Sequence, residues 1–403
     1  MLIELHQLAM QAPAVVRDAF KRLRESDIKA EAAKRETRVA NGNCAWDCPL
    51  DDADEATWMM ALGAQIRAVE TWMNISVAHA LGEPASADAW YCAATDHYAV
   101  PRRRPFRPKD HHPYERRGLL YHRIIPAEVS GYQVRITLDN ARDPSRDGIT
   151  RMGAALLQDF RFTHTRHGDG FLIDSVEATD MAATIGAQVE RACGAACYCV
   201  VWPELALSPA ARDHIATLLR HHDGRNRPAV VVAGSWHQRD GSVARNVGTV
   251  LDGYGRSVLT FAKALPFTHD SLGPEAIQGS HAIEVLVTRD SVIAFAICRD
   301  YCDNQVLSPF PDLDVDLILV PSLGNAATMD GHRVTAKRAA LNHGTRTFVV
   351  QQDLPAGTDP RLGLVLPPQA GADQKALAQS DVWKVYEVTS LGPYYVGGRT
   401  ETL

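Results

Sequence analysis

Three apolar stretches of this chain each end on a side chain that can react or carry charge. Cys199-Val200-Val201-Trp202-Pro203 leads to Glu204, Val258-Leu259-Thr260-Phe261-Ala262 leads to Lys263, and Val292 to Ile297 lead to Cys298, Arg299 and Asp300. Each stretch reads as a buried strand, and the residue just past such a strand has a rigid backbone and access to a cleft. The three chemistries complement one another. Burial raises a carboxylate's pKa towards the range of a general base, and a fixed ammonium stabilises a developing oxyanion. A thiol beside that ammonium ionises more readily, and a carboxylate nearby can take its proton. Taken singly, each has a plainer reading: a structural acid, a snorkelling lysine, a packed thiol.

The elements that must position these groups begin near residue 130. Short β-rich segments, Tyr132–Leu138, Cys197–Trp202, Ala229–Gly234, Gly248–Leu251, Val258–Ala262, Ile283–Val287, Val292–Ile297, Leu317–Pro321 and Thr347–Gln351, alternate there with helical ones. That alternation is α/β or α+β rather than a bundle. One helix is well punctuated: Ser208 suits its cap, Pro209 its first position, Ile215, Leu218 and Leu219 its apolar face, and Gly224 its end. Cys197 and Cys199 are expected on one side of their strand, as packing.

Residues 1–100 read as a mainly helical region, with apolar residues at helical spacing from Trp58 to Leu81 and a stop at Leu81-Gly82-Glu83-Pro84. Asn41-Gly42-Asn43 between the helices reads as a turn. Residues 101–129 form a Pro/Arg-rich linker or arm, with Arg102, Arg103, Arg104, Arg107 and Lys109 offering a local basic contact for an acidic partner.

The strand-end residues, taken in order, carry a resemblance. Pro203-Glu204, Asp252-Gly253-Tyr254-Gly255-Arg256 leading to Lys263, Ile297-Cys298-Arg299-Asp300 and Leu317 to Ser322 together resemble the nitrilase superfamily of carbon–nitrogen hydrolases. Val232 to Ser235, Asn246, and Lys337 to Asn342 extend the resemblance over residues 130–403. It implies an αββα sandwich that often dimerises, and a Glu-Lys-Cys triad: Glu204 the base, Lys263 the oxyanion-stabilising lysine, Cys298 the nucleophile. The backbone N–H of Arg299 would complete the oxyanion hole. No metal and no organic cofactor is implied. Many members carry a second glutamate soon after the lysine; here the nearest acid is Asp270, with Glu275 further along, and either is a candidate. The sequence from Arg299 to Asp303 departs from the aromatic-rich versions of true nitrilases, which points to amides rather than nitriles. His269 and Tyr301, on the loops after Lys263 and Cys298, are candidate substrate contacts.

Composition sets outer limits. The 403 residues, 46% hydrophobic and 22% charged, describe an ordinary globular chain of more than one domain. A net charge of −6 argues against nucleic acid or a membrane surface as the partner. No apolar run reaches the length of a spanning helix, and Met1 to Lys21 lacks the clean apolar stretch of a signal peptide. Eight cysteines without a small-domain framework fit a reducing, cytoplasmic setting. Cys44, Cys48 and Cys92 with His111 or His112 form a weak zinc pattern, better explained as idle thiols. The expected protein is a cofactor-free thiol hydrolase of a small amide or N-carbamoyl compound, working as a homodimer or higher oligomer. The alternatives are an N-acyltransferase using the same triad and a catalytically silent scaffold or sensor.

Overall fold

The computed structural model describes residues 1–21, 24–43, 49, 53–77, 86–102, 119–145, 147–302, 308–353, 361–369, 375–378 and 381–389. Contacts group them into two units, Met1–Ala127 and Glu128–Leu403. Cys44, Cys48, His111, His112, the stop at Leu81 to Pro84 and most of the basic arm lie outside the described residues.

The first unit holds α1 (Leu2–Gln11), α2 (Ala14–Lys21), α3 (Glu25–Ala40) and α4 (Glu55–Trp72). Asp54 starts α4 by accepting the Thr57 amide at 2.7 Å, and a π-turn, Met73–Val77, follows it. Leu62, Ile66 and Val69 of α4 pack on Leu2, Leu5, Ile28 and Val39. A small antiparallel sheet, β1 (Tyr91–Cys92), β2 (His97–Val100) and β3 (Arg123–Pro126), completes the unit. These strands fall in stretches read from sequence as helix or linker; segments of two to four residues have no periodicity to reveal them. The wholly buried Glu70 ties sheet to helix: it accepts the amides of Leu120 (2.8 Å), Tyr121 (2.6 Å) and His122 (2.7 Å), and the Arg67 guanidinium at 3.1 Å.

The second unit runs β4 (Glu128–Val129), β5 (Tyr132–Leu138), β6 (Ile149–Ala155), β7 (Arg161–His167), β8 (Gly170–Glu177), α5 (Met181–Gly194), β9 (Cys199–Val201) and α6 (Pro209–His221). There follow β10 (Val230–Asp240), β11 (Val243–Leu251), β12 (Ser257–Ala262), β13 (Thr268–His269), β14 (Gly273–Pro274), β15 (Ala282–Val287), β16 (Val292–Phe295) and α7 (Arg299–Cys302). Last come β17 (Leu317–Gly324), α8 (Ala326–His343), β18 (Arg346–Asp353), β19 (Arg361–Leu366), β20 (Lys375–Ala378) and β21 (Trp383–Thr389).

A six-stranded sheet, β12-β11-β10-β9-β6-β21, faces an eight-stranded one, β20-β19-β18-β17-β16-β15-β5-β4. The apolar core between them joins Met152, Val201, Val232 and Phe261 of one to Ile293, Leu319, Phe348 and Val350 of the other. On the outer face of the first sheet, Val200, Trp202 and Val231 pack on Ile185 and Val189 of α5 and Ile215 and Leu219 of α6. On the second, α8 lies over β17, β18 and β19. The result is the expected αββα sandwich. Ser208 caps α6 as its sequence implies, by accepting the Ala211 amide at 3.3 Å. Cys197 and Cys199 do not share a face, because the strand begins only at Cys199; Cys197 sits in the turn from α5, among the residues under the helices.

Glu70→Ala removes a buried carboxylate that three amides and the Arg67 guanidinium share, so we expect a loss of about 3–5 kcal/mol in urea unfolding of the full chain. Burial alone would raise the Glu70 pKa, but the His122 hydrogen bond and the Arg67 charge outweigh it and hold it below the usual range. Its contribution is therefore full above the unfolded carboxyl pKa and is lost as pH falls. A change below about 1 kcal/mol contradicts this role.

Candidate active site

Glu204, Lys263 and Cys298 follow β9, β12 and β16 by three, one and three residues. The turn carrying Glu204 rests on β10 where that strand bulges between Val232 and Ser235. Gly234 makes this possible: its φ is +57°, and a Cβ there would meet the Pro203 carbonyl oxygen at 2.5 Å. Leu205, φ +53°, and Cys298, φ +44°, both hold the left-handed conformation that side chains disfavour. Strain of this sort persists where the surroundings over-determine it, and here it flanks or carries the reactive groups.

Lys263 is 1% exposed, and its ammonium donates to Glu204 Oε1 and to Glu275 Oε2, both at 2.7 Å. Asn246 spans the same two carboxylates, Nδ2 lying 3.0 Å from Glu204 Oε1 and 2.9 Å from Glu275 Oε1. The Ile173 amide donates to Nδ1 of His237 at 2.7 Å, which leaves the ring proton on Nε2, facing Glu275 Oε1 at 2.7 Å. His237 and Asn246 are register partners on β10 and β11, and the Lys263 amide donates to the Asn246 carbonyl at 2.9 Å, so one row across the sheet aims all three at Glu275.

Leu323 links the thiol to this network. Its amide donates to Glu204 Oε2 at 3.2 Å, and its carbonyl accepts from Cys298 Sγ at 3.6 Å. The backbone is pinned as well: the Cys298 amide donates to the Pro321 carbonyl at 3.0 Å. Asp300 ties the turn after Cys298 to the turn after Lys263 by accepting the Ala264 amide at 3.0 Å and the Leu265 amide at 2.8 Å.

The two glutamates, though similarly buried, are pushed apart. Burial raises the Glu204 pKa well above the ordinary range, the adjacent Cys298 charge adds to this, and Lys263 offsets it only in part. Burial acts on Glu275 too, but the Lys263 charge and the His237 hydrogen bond outweigh it and bring its pKa down to about 2. Lys263, although burial opposes its charge, is held protonated by Glu204 and Glu275. The Cys298 thiol is raised by its hydrogen bond with Cys302 and by burial, against the pull of Lys263. Glu275 thus balances the ammonium, and Glu204 is left as the group able to exchange a proton.

Glu204, Lys263 and Glu275 line a cleft whose other walls are Phe162, Phe171 and Ile173 from the β7–β8 hairpin, Leu205, Phe267, His269 and Leu323. A second, mostly apolar pocket lies against Asp300 and touches neither Glu204 nor Lys263. Of the two candidate second acids, Glu275 enters the network, whereas Asp270 is exposed on the loop. His269 lies on the cleft wall, edge-on to Phe171 and Phe267. Tyr301 is not a substrate contact: the turn of α7 carries it inward, where it is fully buried, stacked on His332 and bonded to Thr347 at 2.6 Å. The Arg299 side chain donates to the Pro266 carbonyl at 2.6 Å. Sequence reading missed His237 and the role of Asn246, because each stands among other polar residues of its strand and only the fold shows that it is buried. Among the described residues, no group of three or more His, Cys, Asp or Glu side chains could hold a metal ion, and no helix is long and apolar enough to cross a membrane.

No family model and no curated protein matches the chain. Solved structures do. An amidase from Nesterenkonia sp. is 16% identical with a TM-score of 0.43, over 62% of this chain and 92% of its own. A variant of the Nesterenkonia AN1 amidase in complex with butyramide is 15% identical, TM-score 0.44, over 62% and 93%. A further variant, from an amidase described as belonging to the nitrilase superfamily, gives 15%, 0.42, 62% and 93%. Likeness at this level carries no argument about chemistry, which stands on the side-chain geometry.

Burial, eased by the Leu265 and Ala264 amides, pushes the Asp300 carboxyl up to about 7. The folded chain therefore keeps a proton that the unfolded chain releases near pH 4, and stability falls as pH rises from about 4 to about 7. Asp300→Asn keeps the accepting oxygen and removes the titration. Urea unfolding between about pH 4 and pH 8 should show a fall smaller than wild type by up to about 4 kcal/mol; equal slopes would contradict the assignment.

Proposed function

We propose that this protein is a cysteine-dependent amidase of the nitrilase superfamily, hydrolysing a small amide through a thioester. The observation that carries the reading is the buried ammonium shared by two carboxylates with opposed proton affinities, next to a strained thiol.

Each step uses groups already described. Cys298 Sγ attacks the amide carbonyl carbon while its proton passes to Glu204. Lys263 has three N–H bonds and spends two on Glu204 and Glu275, so the third can meet the developing oxyanion. The Arg299 amide, next after the nucleophile, is the second donor in this scheme. Glu204 then gives its proton to the departing nitrogen, and the C–N bond breaks as the thioester forms. Water, losing a proton to Glu204, attacks the thioester; the acid leaves and the thiol regains the proton.

The cleft lining supports an uncharged, apolar acyl group. Phe162, Phe171, Ile173 and Phe267 offer apolar surface, and His269 is the single added polar group among the described walls. Among the described walls no arginine receives a carboxylate, and their apolar surface suits simple apolar amides.

Ammonia release from butyramide and benzamide should be lost by at least about 1,000-fold in Cys298→Ala and Glu204→Gln. Glu275→Gln, which weakens the counter-charge and leaves the base in place, should cost about 10- to 100-fold. Full activity in Cys298→Ala would overturn the proposal.

A further inference from the structure

A carboxylate offers about four lone-pair positions, two on each oxygen, and in a buried site the donors around it decide which of them a proton can occupy. Glu275 has none to spare. Its Oε1 accepts from His237 Nε2 at 2.7 Å and Asn246 Nδ2 at 2.9 Å, and its Oε2 from Lys263 Nζ at 2.7 Å and the Phe267 amide at 3.1 Å. Glu204 Oε1 is filled as well, by Lys263 Nζ at 2.7 Å and Asn246 Nδ2 at 3.0 Å. Glu204 Oε2 differs: among the described residues its one donor is the Leu323 amide, at 3.2 Å. Asn246 completes both sets, because its side-chain nitrogen has two hydrogens and each goes to a different glutamate. The amide cannot be turned over, since Oδ1 would then face two carboxylate oxygens. As held, the residue is wholly buried and Oδ1 has no partner among the described residues. An unpaired buried acceptor costs stability, so the two N–H bonds are what the side chain contributes.

The remaining position lies on the thiol's side. β16 ends at Phe295, opposite Leu319, whereas β17 runs on to Gly324. Alternate residues of β17 face the edge that β16 leaves: the Leu319 carbonyl accepts the Ala296 amide at 3.2 Å, and the Pro321 carbonyl the Cys298 amide at 3.0 Å. Leu323 is next in that series. The N–H and C=O of one residue in an extended strand point to the same edge. Here the N–H meets Glu204 Oε2 and the C=O faces Cys298 Sγ, so the oxygen and the thiol stand side by side where the ladder would have continued.

We infer that Asn246 is a positioning residue for the proton. By giving one N–H to each glutamate it closes Glu275 and Glu204 Oε1, and confines the proton taken from Cys298 to Glu204 Oε2, the oxygen that shares the Leu323 edge with the thiol. The S–H bond breaks as an O–H bond forms at Oε2, and the same O–H later gives its proton to the departing nitrogen. Asn246 keeps both of its hydrogens throughout, so the proton balance of the reaction is unchanged. The inference rests on the reading of Cys298 as nucleophile and Glu204 as base.

The titratable groups facing Glu204 are Lys263 after β12, Glu275 after β14 and Cys298 after β16, with His237 of β10 behind Glu275 and Asp300 on α7 beyond. Asn246→Ala leaves all of them in place. The test reads the carboxylic-acid carbonyl band of Glu204 by infrared spectroscopy. It uses the full chain carrying Asp300→Asn, which removes the other raised carboxyl of the site, and assigns the band by its loss in Glu204→Gln. With the proton on Oε2, Oε1 is the carbonyl and accepts two hydrogen bonds; Asn246→Ala removes one, and the band should move to higher wavenumber. With the proton on Oε1 the carbonyl would be Oε2, which Asn246 does not touch, and the band would stay. Asn246→Leu keeps the side-chain volume and removes the buried oxygen with the N–H groups. It should give the same shift, and it serves if the alanine variant does not fold. In the otherwise wild-type chain either variant should move the acid limb of kcat/KM for butyramide up by about one pH unit, a loss of about tenfold below the limb. An unmoved band in the folded variants overturns the inference and leaves the amidase reading standing. A wild-type chain that hydrolyses no amide, or full activity in Cys298→Ala, fails the amidase reading instead.

Discussion

An ammonium buried in protein must be matched by negative charge close at hand, because the cost of removing it from water is otherwise several kcal/mol. Lys263 meets that constraint with two carboxylates where one suffices. In the proposed reaction, the surplus acid is the origin of the chemistry. Glu275, gripped also by His237, Asn246 and the Phe267 amide, is saturated with donors and stays ionised. Glu204, the less satisfied partner, has its proton affinity raised by the same burial.

This arrangement demands precision that loops alone do not supply. His237 and Asn246 lie on neighbouring strands and Lys263 directly past the next one, in one row, where ladder register sets their spacing. The remaining groups come from turns, and each turn is fastened by backbone bonds to a neighbour: Glu204 over Gly234, Cys298 to Pro321, the residues after Lys263 to Asp300. The two sheets bring these turns together because β9, β16 and β17 end on the same side of the sandwich.

How much of this was legible in the sequence follows from the range of each interaction. Apolar runs ending on Glu204, Lys263 and Cys298 are local patterns, and the strands and the Ser208 cap could be read from them. The choice between Asp270 and Glu275 could not, because it depends on how β13 and β14 fold the loop back towards Phe267 and Phe171. Tyr301 was misplaced for a related reason: a single turn of α7 rotates the third residue away from the cleft, and only the packing of α8 shows where it goes. The β7–β8 hairpin, exposed on most of its first strand, carries no buried alternation to announce that Phe162 and Phe171 wall the cleft.

The central claim is that Glu275 carries the permanent charge opposite Lys263 while Glu204 holds the exchangeable proton. Infrared titration of the folded protein reads this directly through the carboxylic-acid carbonyl band, with each glutamate replaced in turn by glutamine. In an Asp300→Asn background, which removes the other strongly raised carboxyl of the site, the account predicts an acid band titrating well above the ordinary carboxylate range that disappears in Glu204→Gln and persists in Glu275→Gln. Loss of that band in Glu275→Gln with retention in Glu204→Gln would reverse the two roles and contradict the account.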